Sequence, residues 1–159
     1  MKELKAKIPS FGCASSPLLI GNHVYLQAGG GFCKVDKFTG RIIWRTLDDG
    51  GGMSGSAFSS PYFTQLNGEP QFVVQTRTAL AGVDPEDGKV LWSKEVPAFR
   101  GMNIVTPTVH KNAVFTSSYG GRSFLFASAK NKSDWSIKET WTNKAQGYMS
   151  SPLIIKDHV

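Results

Sequence analysis

Apolar residues come in short runs along this chain, alternating with polar ones or closed off by turn residues, and no stretch keeps a 3.6-residue apolar period. Runs of this length, rich in β-branched and aromatic residues, predict strands and no long helix. The pattern is plainest in the middle of the chain. Residues 60–64 form a short apolar run, followed by the turn Gln65-Leu66-Asn67-Gly68-Glu69-Pro70. Residues 71–76 and 79–84 are two further extended stretches, Pro85-Glu86-Asp87-Gly88 is a turn, and 89–93 is a fourth strand. Four short strands joined by tight turns predict an antiparallel meander. Residues 17–20, 24–27, 32–36 and 41–44 repeat the order, with turns at Gly21-Asn22 and Lys37-Phe38-Thr39-Gly40.

The repetition has a fixed step. Ser15-Ser16-Pro17, Ser59-Ser60-Pro61, Val105-Thr106-Pro107 and Ser150-Ser151-Pro152 place their prolines 44, 46 and 45 residues apart. Trp44, Trp92 and Trp141 follow at 48 and 49. Two markers with one period in the mid-forties predict an array of propeller blades. The expected fold is therefore all-β, a partial β-propeller of sequential four-stranded antiparallel blades. One domain over 1–159 is expected, with blades at 15–48, 59–97 and 105–144 and incomplete ones at 1–10 and 150–159. Strands at 113–116 and 124–127 belong to the third unit. Its last hairpin, through 130–134, is expected to be longer, because thirteen steps instead of eight precede Trp141. Residues 152–155 would begin a fourth unit, and Leu4 stands about where a last-strand Trp belongs. Trp135 is off this register.

Asp36 and Asp84 each precede a Gly by four residues and a Trp by eight. An Asp carboxylate can accept hydrogen bonds from turn N–H groups, and Gly40 and Gly88 supply a backbone with φ > 0. A metal reading of Asp84, Glu86 and Asp87 competes with this and is weaker, since Asp and Gly are ordinary turn residues. These ten-residue segments, 35–44 and 83–92, resemble the Asp-x-x-Thr-Gly-x-x-x-Trp signature of pyrroloquinoline-quinone (PQQ)-type propeller repeats, and the resemblance covers essentially the whole chain. The family includes quinoprotein alcohol dehydrogenases, with eight blades around PQQ and calcium. It also includes non-enzymatic propellers, among them a lipoprotein scaffold of outer-membrane β-barrel assembly. The resemblance implies that Trp44, Trp92 and Trp141 dock blade on blade. It implies no catalytic residue here: the adjacent Cys pair of the dehydrogenases is not matched by Cys13 and Cys33, and no calcium set can be placed. The expectation is no cofactor and no metal, with PQQ and calcium entering only by resemblance.

Composition narrows the function classes. Hydrophobic residues make up 40% and charged residues 19%, which suits a compact β protein and argues against disorder. No run is long enough to span a membrane, and the Lys-rich start, Met1 to Lys7, has no apolar core of a signal peptide. The net charge of +6 is spread over turns and termini, without an arginine-rich tract, so no nucleic-acid partner is expected. Cys13 and Cys33 lie on positions about 10 Å apart at normal sheet spacing, so a disulfide is possible but not favoured. His23, His110 and His158 flank equivalent first-hairpin turns, where a surface role is expected.

In such a meander the loop between the second and third strands lies on the same face as the loop entering the first. That face collects Gly-, Arg-, Met- and aromatic-rich loops, and loops on a rigid scaffold are where binding residues concentrate. Its candidates are Arg77, Arg100, Arg122, Met53, Met102, Met149 and Tyr119. The arginines could converge loosely on an anion or carboxylate, or they could simply stack on neighbours.

The expected function is a non-catalytic binding or scaffold module, extracytoplasmic by resemblance. The rivals are part of a quinoprotein alcohol or sugar dehydrogenase, and a sensor propeller fused to a domain such as a kinase. The partner would be a protein or small ligand on the loop face, or further blades of the same ring. Open blade edges carry unpaired backbone groups, so self-association is expected as well.

Overall fold

The computed structural model describes residues 8–50, 57–156 and 158–159. They form twelve strands in three four-stranded antiparallel sheets. Blade 1 is β1 (Leu18–Ile20), β2 (His23–Ala28), β3 (Gly31–Asp36) and β4 (Ile42–Thr46). Blade 2 is β5 (Tyr62–Leu66), β6 (Glu69–Gln75), β7 (Ala79–Val83) and β8 (Val90–Glu95). Blade 3 is β9 (Thr108–His110), β10 (Ala113–Ser117), β11 (Ser123–Asn131) and β12 (Asp134–Asn143). Each sheet keeps its strands in chain order, as a partial propeller requires. The one helical element among the described residues is a 3₁₀ turn at Phe99–Gly101. No described helix is long and apolar enough to cross a membrane.

The period has a local cause at the first hairpin turn. Ile20 faces His23, Leu66 faces Glu69 and His110 faces Ala113 across these turns. Ile155 and His158 form a fourth such pair. The residue after the first partner has positive φ in every case: Gly21 (57°), Asn67 (50°), Lys111 (54°) and Lys156 (47°). Glycine and asparagine take this conformation readily, while the two lysines hold it at a cost of about 1–2 kcal/mol. The strand expected over 152–155 is reduced to that single bridge. The last hairpin of blade 3 is longer because β11 and β12 themselves lengthen, while the turn at Lys132 stays tight.

A second repeated device sets the tryptophans. Each third-to-fourth strand ladder shifts register just before the Trp, leaving Ile43, Leu91 or Thr140 as the extra residue. A bulge at the same place in three sheets re-aims the following side chain. Trp44 then faces Lys34, Trp92 faces Gly82 and Trp141 faces Leu125.

The cores lie between blades. Tyr25 and Phe32 of blade 1 pack with Phe72, Val74 and Val83 of blade 2, flanked by Leu18, Ile20 and Trp44. Leu66, Val73, Leu80, Trp92 and Val96 of blade 2 pack with Val114, Phe126 and Ile137 of blade 3. Alternation along β6 serves both interfaces, since Phe72 and Val74 face one neighbour and Val73 the other.

Two polar ladders run across the same interfaces. The Ser16 N–H donates to the Ser60 hydroxyl at 2.9 Å, and the Ser60 N–H to the Thr106 hydroxyl at 3.2 Å. The hydroxyls before Pro61 and Pro107 thus each receive the amide of the preceding repeat, which gives Ser and Thr a role at that position. Gln27 donates to the carbonyl of Gln75 at 3.0 Å, and Gln75 donates to the carbonyl of Ser117 at 3.4 Å. Gln27 also donates to the Ser59 carbonyl at 2.7 Å, and the Thr116 hydroxyl donates to Gln75 Oε1. Both glutamines are buried, so these bonds satisfy groups that would otherwise be costly to desolvate.

Candidate functional site

The Asp-Gly turns behave as turns. Asp36 Oδ1 accepts the N–H groups of Phe38 (3.0 Å) and Thr39 (2.8 Å) and the Thr39 hydroxyl (2.8 Å). Those bonds, led by the Thr39 amide, hold the Asp36 carboxyl below its ordinary pKa. Asp84 Oδ1 accepts the Glu86 N–H at 2.8 Å, and Asp87 accepts the Lys89 N–H at 2.9 Å. Gly40 and Gly88 close the turns onto Asp36 and Asp84 with φ of 73° and 77°. Among the described residues no three His, Cys, Asp or Glu side chains gather to hold a metal.

Blade 2 presents its Asp84–Gly88 turn to blade 1. Trp44 Nε1 donates to the Glu86 carbonyl at 3.0 Å, and Lys34 Nζ donates to the Pro85 carbonyl at 3.0 Å. The indole lies so close that a Cβ on Gly88 would sit 2.7 Å from Trp44 Cδ2. Trp92 reaches its neighbour differently. Opposite Trp44 stands Lys34, whereas opposite Trp92 stands Gly82. The Trp92 ring folds down over that glycine, bonds Gln71 Oε1 at 2.7 Å, and meets blade 3 through Val114, Phe126 and Ile137. Trp141 departs from both: it is 41% exposed and touches Phe115 at 6.3 Å between ring centroids. No described blade follows it.

The loops between blades and the second-to-third strand loops interlock on one face. Asp49, from the connection leaving blade 1, donates its N–H to the Gly30 carbonyl at 2.8 Å. Its carboxylate lies 3.5 Å from Arg77 Nη1 and accepts the Arg77 N–H at 3.4 Å. Arg77 lies against Gly101 of the next connection. Asn103 in that connection is fully buried and donates to the carbonyls of Thr76 (3.1 Å), Arg77 (3.3 Å) and Val96 (2.9 Å). Phe99 N–H donates to the Tyr119 carbonyl at 2.9 Å, and Gly120, packed under Phe99, donates its N–H to Gln146 Oε1 at 2.9 Å. Tyr119 and Tyr148 meet edge to face at 5.7 Å. Each loop is thus clamped between the connections before and after it.

The seven candidates separate on this belt. Arg77 is an internal brace, its side chain only 13% exposed. Arg100 is exposed and stacks on Phe99 at 5.0 Å, with its backbone at φ 55°. Arg122 is exposed, and its main chain is held by Ser118. The three arginines thus have different neighbours: Asp49 for Arg77, Phe99 for Arg100 and Ser118 for Arg122. Met102 and Tyr119 are half-buried, Met149 is 72% exposed, and Met53 lies outside the described residues. Phe99 and Tyr148, 54% and 55% exposed, complete an outward-facing aromatic and cationic surface. Sequence reasoning missed the braces Asp49 and Asn103, which carry no periodic signal. It also missed Gln27 and Gln75, whose spacing of 48 equals that of Trp44 and Trp92.

The quinone and calcium that the resemblance implies find no matching residues among those described. Cys13 is exposed, Cys33 is buried in β3, and both are free thiols. Burial pushes the Cys33 thiol pKa up, against a smaller opposing effect of Arg45, so it is a poor nucleophile. His23 and His110 are half-buried and His158 is exposed, each beside a first-hairpin turn.

The family described as outer membrane protein assembly factor BamB matches residues 3–159. No curated protein matches in sequence. Among solved structures, BamB from Moraxella catarrhalis is 18% identical with a TM-score of 0.64, covering 89% of this chain and 41% of that one. A quinohemoprotein alcohol dehydrogenase from Comamonas testosteroni is 16% identical with a TM-score of 0.56, covering 87% of this chain and 21% of that one. The chain therefore spans less than half the length of either, and the likeness shows the propeller fold.

Proposed function

We propose that this chain, which belongs to the outer membrane protein assembly factor BamB family of PQQ-type repeat propellers, is a non-catalytic binding module that serves outer-membrane protein assembly from the extracytoplasmic side. The observation that carries this reading is the loop face. Asp49, Arg77 and Asn103 brace one loop on the next inside it, while Phe99, Arg100, Tyr148 and Met149 are exposed on its surface. Rigid aromatic anchors beside arginine, ringed by glycine-rich loops, are what protein interfaces use as hot spots. An enzyme reading needs a pocket with convergent, perturbed acid–base groups. The shifts resolved on the described residues belong to a capped turn and a buried thiol.

A photo-crosslinking residue placed at Arg100 or Tyr148, and at Lys89 on the opposite face as a control, tests the assignment in cells assembling outer-membrane proteins. Adducts to a component of that assembly process should form from the loop face and not from Lys89. Phe99→Ala with Tyr148→Ala should weaken capture about tenfold or more, the effect of losing at least 1.4 kcal/mol of contact. Adducts from Lys89 alone would refute the face. A stoichiometric complex of the purified chain with PQQ and calcium, accompanied by dye-linked alcohol oxidation, would replace the reading with the dehydrogenase one.

A further inference from the structure

We propose that the junction between Arg77 and Asn103 is a binding site for one internal water molecule, which ties two successive loops of the loop face together. Two side-chain atoms there are buried without a hydrogen-bond partner, Arg77 Nε and Asn103 Oδ1. One is a donor and the other an acceptor. Buried polar groups of this kind are regularly satisfied by ordered water.

Both atoms are fixed in place. Asn103 is fully buried, and its Nδ2 donates to the carbonyls of Thr76, Arg77 and Val96 at 3.1, 3.3 and 2.9 Å. Turning the amide over would press Oδ1 against those three carbonyls, so the group left over is the acceptor. Arg77 is pinned at its head by Asp49, 3.5 Å from Nη1, and at its backbone, whose N–H bonds the same carboxylate at 3.4 Å. Its Nε and Nη2 lie alongside Gly101, where a Cβ would stand 3.1 and 3.0 Å from them. Gly101 and Asn103 belong to one short segment, and the Asn103 amide bonds the Arg77 carbonyl itself. The two orphans therefore share the layer between the 76–78 loop and the 101–103 segment.

The chemistry selects the occupant. The pair needs one group that accepts from the Nε–H and donates to Oδ1. An anion accepts but does not donate. A cation is repelled by the guanidinium, which stays charged at any working pH. Water does both and is small enough for an interior layer. Its second hydrogen meets the carbonyls around Asn103, each of which has two lone pairs. That gives the roughly three bonds usual for a buried water. The Asp49–Arg77 brace and the Asn103 brace thereby become one unit, on the connection that carries the exposed Phe99 and Arg100. The site stands whether or not that surface takes a partner.

A crystal structure of the 159-residue chain, at a resolution that orders solvent, is the first test. One water should lie about 2.7–3.2 Å from both Arg77 Nε and Asn103 Oδ1. In solution the Arg77 Nε–H should show a rotating-frame Overhauser contact to water, opposite in sign to chemical exchange. Arg77→Lys should remove that nitrogen–proton cross-peak, which identifies it; if the variant does not fold, the crystallographic distances decide alone. A direct Arg77 Nε–Asn103 Oδ1 bond, an ion between them, a junction without solvent density, or a cross-peak without the water contact would each overturn the proposal.

Discussion

Trp92→Ala should lower the stability of the chain by about 3–5 kcal/mol, the range for deleting a buried Trp. Trp92 is 6% exposed and belongs to the cluster that joins blades 2 and 3. The substitution opens a cavity between two sheets that touch mainly through side chains. It also strips Gln71 Oε1 of its 2.7 Å partner in the interior. Trp135 packs at the edge of the same cluster, under Lys130 at 5.6 Å, and is only partly buried. Trp135→Ala should therefore cost clearly less, and Trp141→Ala less again in the monomer. Urea denaturation followed by far-ultraviolet circular dichroism ranks the three. Equal losses at Trp92 and Trp135 would contradict the assignment of Trp92 as the inter-blade anchor.

Gly82→Ala should be nearly as damaging, although it removes nothing. A Cβ on Gly82 would stand 2.1 Å from Trp92 Nε1 and 2.4 Å from Gln71 Oε1. The indole must swing away, which breaks the buried Trp92–Gln71 bond and pushes the ring into Val114 and Phe126. Overpacking of this kind costs about 1–3 kcal/mol, and the buried acceptor left behind costs about 1–3 kcal/mol more. A thermal melt of Gly82→Ala should fall well below wild type. Adding Trp92→Ala to it should cost little further, because the two changes act on one contact. Additive losses would show that Gly82 is constrained by something other than the Trp92 ring.

The fold was legible because its markers are local and repeated. The Pro and Trp periods, the alternation in β6 and the Asp–Gly turns are all set by backbone chemistry within a few residues. The extended blade 3 hairpin was half legible. The extra residues between Ser128 and Trp141 were visible, but the choice between a long loop and two longer strands depends on Ile137 finding Val114 and Phe126 across the interface. What each tryptophan touches was not legible. Whether an indole reaches over a neighbouring turn or folds onto its own sheet turns on Lys34 versus Gly82 opposite it, a cross-strand pairing fixed by the bulge. The loop face was legible as a face but not in its parts. Arg77 and Arg100 look alike in sequence, and only the tertiary position of Asp49 makes one a brace and leaves the other exposed.

The central claim is that blade 1 seats Trp44 on the Asp84–Gly88 turn of blade 2. Gly88→Ala and Gly40→Ala, compared in the dilute monomer, test it most directly. Both glycines have the same positive φ within a few degrees, so both variants should lose about 1–2 kcal/mol from backbone strain. Only Gly88 lies under an indole, with Trp44 Cδ2 and Cε3 at 2.7 and 2.8 Å from the added Cβ. Gly88→Ala should therefore lose about 1–3 kcal/mol more than Gly40→Ala and shift the fluorescence of Trp44 toward that of an exposed indole. Equal destabilisation of the two variants, with unchanged fluorescence, would contradict the account.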